Sequence, residues 1–243
     1  MNLSKHILYS MYALTLIAFL FETTNSDILV QNLFFNASNQ TWIIDKYEEH
    51  YRFVFYLFPK YSIILLALSL IALYFISFRR KNAKHFQRRL LVVIFSLILV
   101  PSVIGGLKAT TNGACPAQIE LYGGDVPYVK AFELMPESFE STKKYKCFPA
   151  GHASGGFALM SLLFLFYRHK YQYIAVGVAV SIGWVMGIYK MLIGDHFLSH
   201  TLTTMTLSWL IICLIAVIVF RTLHFPNPKP NAKNNQQELV HES

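Results

Sequence analysis

Charge is scarce in this chain. Of 243 residues only 14% are charged, with 13 acidic side chains against 21 basic ones, whereas 54% are hydrophobic. So few ionisable groups exclude a separate soluble domain and point to an integral membrane protein. No nucleic-acid-binding motif accompanies the net charge of +8, and the basic residues sit beside apolar runs, so a nucleic-acid partner is excluded. No internal repeat divides the sequence. A small-residue cleavage site is missing around Phe21-Glu22-Thr23-Thr24-Asn25-Ser26, so the first apolar run reads as a retained anchor rather than a cleaved secretion signal.

What the chain has in abundance is apolar stretches of bilayer-spanning length. Six are found, at Ile7 to Phe21, Phe53 to Phe78, Leu90 to Leu107, His152 to Tyr167, Tyr173 to Ile193 and Leu198 to Phe220. The expectation is an all-α polytopic bundle of six transmembrane helices over residues 1–225, followed by a disordered cytoplasmic tail over 226–243 that is rich in Pro, Asn and Gln. Basic residues in short loops set the orientation. Arg79, Arg80, Lys81, Lys84, Arg88 and Arg89 follow the second run, Arg168 and Lys170 follow the fourth, and Arg221, Lys229 and Lys233 follow the sixth, which assigns these segments to the cytoplasm. Residues 22–52, residues 108–151 and a short turn near 194–196 then face the opposite side. Trp42, Tyr47 and Tyr51 suit the first of these to an interfacial position on the outer leaflet.

Three polar elements converge on that non-cytoplasmic side. Lys108 closes the third run, Phe148-Pro149-Ala150-Gly151-His152 opens the fourth, and Lys190, His196 and His200 surround the last turn. Ionisable side chains at the edge of a membrane segment are costly, and a cluster of them marks a functional site. Their types suit phosphate. Lysines neutralise anionic oxygens, a helix starting after Pro149 offers free N–H groups and a positive dipole end, and two histidines supply a nucleophile and a proton donor.

In order and spacing these residues resemble the type 2 phosphatidic acid phosphatase superfamily, which shares its core with vanadium-dependent haloperoxidases. That family carries a lysine, six residues and Arg-Pro; then Pro-Ser-Gly-His; then Ser-Arg, five residues, His, three residues, Asp. Here Lys108 is followed after six residues by Cys115-Pro116, the second element reads Pro149-Ala150-Gly151-His152, and the third reads Tyr189-Lys190, five residues, His196, three residues, His200. Spacing is kept throughout residues 90–220. Two arginines are replaced by Cys115 and Lys190, a serine by Ala150 and an aspartate by His200. The resemblance implies that His196 attacks phosphorus to form a phosphohistidine, while His152 protonates the leaving oxygen and then activates water. Lys108, Lys190 and the backbone amides of Gly151 and His152 would hold the equatorial oxygens, with no metal or other cofactor.

The departures remove specific chemistry. Losing an arginine fork weakens bidentate control of phosphate. Lys143, Lys144 or Lys146 is a candidate for the missing charge, with a solvated loop patch as the alternative. Ser154, one turn beyond Ala150, is a candidate for the lost hydroxyl, and His200, one turn beyond His196, for a neutral acceptor that fixes the His196 tautomer. The spacing of His196 and His200, with His152, also fits zinc ligands, but Lys108 and Lys190 would repel a cation there. Cys115 and Cys147 share the non-cytoplasmic loop, where an oxidising compartment allows a disulfide that would clamp the first motif to the second; two buried free thiols are the alternative, and Cys213 is a packing residue.

The substrate class that the resemblance implies is a phosphorylated membrane lipid: lipid A, undecaprenyl diphosphate, phosphatidylglycerol phosphate or phosphatidic acid. The Gly-x-His-Phe-x-Ser pattern at Gly194 to Ser199 is similar to that of bacterial lipid A phosphatases, which favours lipid A, a bacterial inner membrane and a site facing the periplasm. A lipid phosphotransferase using the same intermediate and a non-catalytic membrane protein that binds anionic lipid are the competing expectations.

Overall fold

Within a bilayer a segment must satisfy its own backbone polar groups, so long apolar runs wind into helices. In the computed structural model, which describes residues 2–80, 83–130, 133, 136, 139 and 144–222, these are α1 (Leu3–Thr23), a short α2 (Ser26–Gln31), α3 (Glu49–Arg52), α4 (Phe58–Ser77), α5 (Lys84–Thr110), α6 (Gly151–Ala158), α7 (His169–Leu192) and α8 (Leu198–Thr222). A π-helical turn over Phe53–Leu57 joins α3 to α4, and a 3-10 stretch over Leu159–Leu165 extends α6. A two-stranded hairpin pairs β1 (Phe35–Asn36) with β2 (Thr41–Trp42). The tail over 226–243, expected to be disordered, lies outside the described residues.

The protein is an all-α integral membrane protein. Among the described residues, five helices are long and apolar enough to cross a membrane: Leu3–Thr23, Glu49–Ser77, Lys84–Thr110, His169–Leu192 and Leu198–Thr222. The sixth expected span, the run from His152 to Tyr167, forms the shorter apolar helix Gly151–Leu165. Its 3-10 half rises about 2.0 Å per residue, against about 1.5 Å in the α-helical half, so the helix reaches about 26 Å where a bilayer core measures about 30 Å.

That short helix occupies the middle of the bundle. It packs on α5, α7 and α8, and Phe157 and Ala158 are fully buried with Leu90, Val92, Val93 and Val100 of α5 and Ile212 and Ala216 of α8. Against α7 the approach is backbone to backbone: a Cβ at Gly156 would stand 2.6 Å from the Gly183 Cα. Small residues at a helix crossing permit this closeness. The outer helices, α1 along α8 and α4 along α5, leave Leu8, Tyr12, Phe19, Leu65, Leu68 and Phe75 exposed. Such residues are at home against lipid tails, which are as apolar as they are.

Above one end of the bundle, the hairpin and short 3-10 turns over Pro116–Gln118 and Glu120–Tyr122 form a cap. Phe35, Trp42 and Tyr122 make a cluster with ring centroids 4.9 to 5.3 Å apart. Trp42, on the segment expected at the outer leaflet, packs over the turn between α7 and α8. Its indole lies 2.4 Å from where a Gly194 Cβ would stand.

Candidate functional site

The site is built where four helix ends meet. α6 starts at Gly151, and its N-cap residue Ala150 supplies no side-chain hydrogen bond. The first-turn N–H groups of a helix have no intrahelical acceptor, so those of Gly151 and His152 are available to an anion. Lys108 comes from the last turn of α5. Its side-chain stem lies 3.6 Å from the position a Gly151 Cβ would take, which brings it past the start of α6.

The third element is shaped by its turn. Lys190 lies in the last turn of α7, and Gly194 adopts φ +71°, a left-handed conformation that costs glycine little. The chain folds back there, so that the N–H groups of Asp195 and His196 both donate to the Lys190 carbonyl, at 2.8 and 3.2 Å. α8 starts only at Leu198. His196 therefore stands between two spans, and His200 on the first turn of the second.

These elements bring together Lys108, Gly151, His152, Lys190, His196 and His200. The imidazole centroids of His152 and His196 are 5.8 Å apart, and those of His196 and His200 are 5.7 Å apart. His152 lines a cavity of about 370 Å³ together with Tyr56, Lys60, Gly151 and Ser154, whereas His196 behind it is 1% exposed. The Ser154 hydroxyl donates to the Gly151 carbonyl at 2.6 Å, so it lies at the expected pocket but spends its proton on the backbone.

Several expectations meet a different arrangement. His200 touches the His196 ring edge-on, with an interplanar angle of 65°, and neither ring nitrogen of His196 has a hydrogen-bond partner among the described residues. The expected tautomer-fixing bond is not formed, because the His200 ring is held between Phe148 and Phe197, with centroids at 5.2 and 5.4 Å. Cys115, at the position of the family's arginine, is joined to Cys147 in a disulfide with a Cα–Cα distance of 5.2 Å, so it brings no charge to the site. Lys144 and Lys146 are exposed, and Lys143 lies outside the described residues. Among the described residues no group of three or more His, Cys, Asp or Glu is arranged to hold a metal ion.

Sequence reasoning missed three contributors. Lys46 Nζ lies 2.8 Å from Asp195 Oδ1, on the opposite oxygen from Lys190 Nζ, also at 2.8 Å. Tyr56, from the π-helical turn, meets the His152 ring edge-on at 5.0 Å and presents its face 5.1 Å from Lys190 Nζ. Asp27 accepts from the Ser199 N–H at 2.8 Å and from the Ser199 hydroxyl, capping α8 beside His200. All three lie far along the chain from the motifs, and no spacing rule could have singled them out.

The electrostatics follow from this packing. Burial, then the neighbouring His200, His152, Lys108 and Lys190, lower the proton affinity of His196 well below that of an ordinary histidine, which leaves a neutral imidazole near pH 7. Burial pushes the Asp195 carboxyl up, but Lys190 and then Lys46 outweigh it and hold the group below the usual carboxylate range. Burial pushes Asp27 up to about 6 despite its bonds from Ser199. Because this value exceeds the ordinary 3.8, Asp27 contributes stability that is fully present below about pH 3.8 and is lost as pH rises through about 6. His196 has the opposite sign and loses stability as pH falls below about 6.5. Asp27→Asn should therefore lose more stability than the wild type between pH 7 and pH 5 in thermal melts, since the compensation from Asp27 is gone; identical pH dependence would contradict the assignment.

A comparison with protein families matches residues 89–223, more than half of the chain, to the model described as the PAP2 superfamily. The matched region holds all three motif elements, from Lys108 to His200, and leaves Lys46 and Tyr56 outside it. No curated protein and no solved structure matches the chain.

Proposed function

The chain belongs to the PAP2 superfamily, whose members act on phosphorylated substrates, and from that premise we propose that it is a lipid phosphatase working through a phosphohistidine on His196. The observation that carries this reading is the pairing of His152 and His196, 5.8 Å apart, at an uncapped helix start flanked by Lys108 and Lys190. A lone pair on the His196 imidazole attacks phosphorus, and the bond from phosphorus to the lipid oxygen breaks. His152, which takes up a proton when the phosphate dianion binds beside it, delivers that proton to the oxygen, releasing the lipid alcohol, or the lipid monophosphate when the substrate is a diphosphate. His152, now neutral, takes a proton from water as the water oxygen attacks phosphorus. The P–N bond breaks and inorganic phosphate leaves. Lys108, Lys190 and the Gly151 and His152 N–H groups stabilise the charge on the equatorial oxygens.

The site stands at the ends of apolar helices, which suits a substrate with its phosphate at headgroup depth and its tail in lipid. We assign it to the non-cytoplasmic face on the distribution of basic residues, and to a bacterial inner membrane and an envelope lipid such as lipid A, undecaprenyl diphosphate, phosphatidylglycerol phosphate or phosphatidic acid on the pattern at Gly194 to Ser199. A second reading, transfer of the phosphoryl group to an acceptor lipid, is favoured by the burial of His196, since shielding from water protects an intermediate from hydrolysis. Detergent-solubilised protein incubated with each of the four lipids separates the two. Hydrolysis releases inorganic phosphate, undiminished by a chelator, whereas transfer yields a newly phosphorylated lipid and little free phosphate. Neither product from any lipid, with the protein folded, contradicts both.

A further inference from the structure

The segment from β2 onward is strapped across the last turn of the site. Trp42 covers Gly194, the Ile44 N–H donates to the Leu192 carbonyl at 3.5 Å, and Lys46 Nζ meets Asp195 Oδ1 at 2.8 Å. The other oxygen of the same carboxylate holds Lys190 Nζ at 2.8 Å. Asp195 thus sits clasped between two ammonium groups, and it lies within electrostatic range of Lys108 and His152. Those are the neighbours a substrate phosphate would meet. Meanwhile the position where the family carries an arginine is occupied by Cys115, whose sulfur is locked in a disulfide.

We propose that Lys46 is a phosphate-binding residue that takes over from the missing arginine, and that the Asp195 carboxylate is a built-in stand-in anion which substrate phosphate displaces. This rests on reading the His152 and His196 cluster as a phosphate site. An arginine fork presents two donors to one phosphate; two lysines reaching an anion from separate chain segments provide the same count of charged donors without the fixed plane. The Lys46 side chain is 55% exposed while that of Asp195 is 13% exposed, so the lysine has solvent in which to swing from one anion to another. The pair is open to solvent on the lysine side, where ion pairing contributes little, so Lys46 can leave the single charge of the carboxylate for the double charge of a phosphate. The arrangement also partly neutralises the site while it is empty: Lys46 and Lys190 both have a carboxylate to face in the meantime.

Binding of inorganic phosphate and of orthovanadate to the full-length, detergent-solubilised protein, by isothermal titration, tests this beside KM and kcat for the best lipid. Lys46→Ala should weaken phosphate about tenfold and raise KM, with Lys46→Arg restoring most of the affinity. Asp195→Asn should tighten phosphate severalfold, because the internal competitor has lost its charge while both lysines remain. Phosphate affinity unchanged in Lys46→Ala, even with a lowered melting temperature, would reduce Lys46 to a structural tie and overturn the proposal. Should Lys46→Ala fail to fold, the Asp195→Asn arm decides: unchanged or weaker phosphate binding overturns it. Wild-type protein that binds neither anion and releases no phosphate would remove the phosphate-site reading itself, whereas wild-type binding and turnover with an indifferent Lys46→Ala would remove this proposal alone.

Discussion

Replacing His196 by alanine is expected to lower lipid phosphate release by about three orders of magnitude or more, because the group that forms the covalent bond to phosphorus is gone. His152→Ala should behave differently, and the difference is diagnostic. A general acid contributes about 10²- to 10⁴-fold with a poor leaving group such as a lipid alkoxide, but little with a leaving group that departs without a proton. With p-nitrophenyl phosphate the His152 variant should therefore still show a burst of p-nitrophenol equal to one enzyme equivalent, followed by slow turnover as the phosphoenzyme waits for an activated water. The His196 variant should show no burst. Equal damage to both substrates in both variants would contradict the division of roles, and so would a burst surviving in His196→Ala. The neutral state that burial imposes on His196 supports its part in this scheme, since a protonated imidazole has no lone pair to offer.

Removing the bridge between Cys115 and Cys147 is expected to have the largest effect on stability. It closes a loop with a sequence separation of 32 residues, for which the chain-entropy relation gives about 3–4 kcal/mol, or a fall in melting temperature on the order of 10 °C. The bridge also ties the two approaches to the site. The Cys147 N–H donates to the Gly113 carbonyl at 3.0 Å, the Tyr145 N–H to the Asn112 side chain at 2.9 Å, and the Thr111 hydroxyl to the Phe148 carbonyl. These contacts fix the end of α5, with Lys108, against the start of α6, with Gly151 and His152. A Cys115→Ser, Cys147→Ser double variant should melt at the lower temperature and lose kcat, and reducing agent should bring the wild type to the same values. A double variant that melts with the wild type would show that backbone bonding alone holds the two segments.

Much of the site was legible in the sequence because its chemistry is carried by fixed spacings. Lys190 and His196 straddle one tight turn, and Pro149 to His152 is a helix start by its residue types, so their convergence follows once the apolar runs on either side are recognised as helices. Legibility ended where contacts depend on segments distant in the chain. Lys46 reaches Asp195 across 149 residues, and Asp27 reaches Ser199 across 172; a loop lysine and a lone aspartate carry no periodic signal. The tautomer bond expected of His200 failed for a related reason. Helical spacing places two rings near each other, but Phe148 and Phe197, which sequence does not place, decide how they are turned. The hydrophobicity of the run from His152 gives its helix but not its internal geometry. Its second half tightens into a 3-10 stretch at the centre of the bundle, where neighbouring helices surround it.

The central claim is a covalent phosphohistidine, and rapid acid-free denaturation of the protein during turnover of a ³²P-labelled lipid tests it most directly. The account predicts label that is stable to alkali and labile to acid, recovered on the peptide containing His196, accumulating in His152→Ala and absent from His196→Ala. Phosphate release with no label on the protein, or label on another residue that survives His196→Ala, would contradict it.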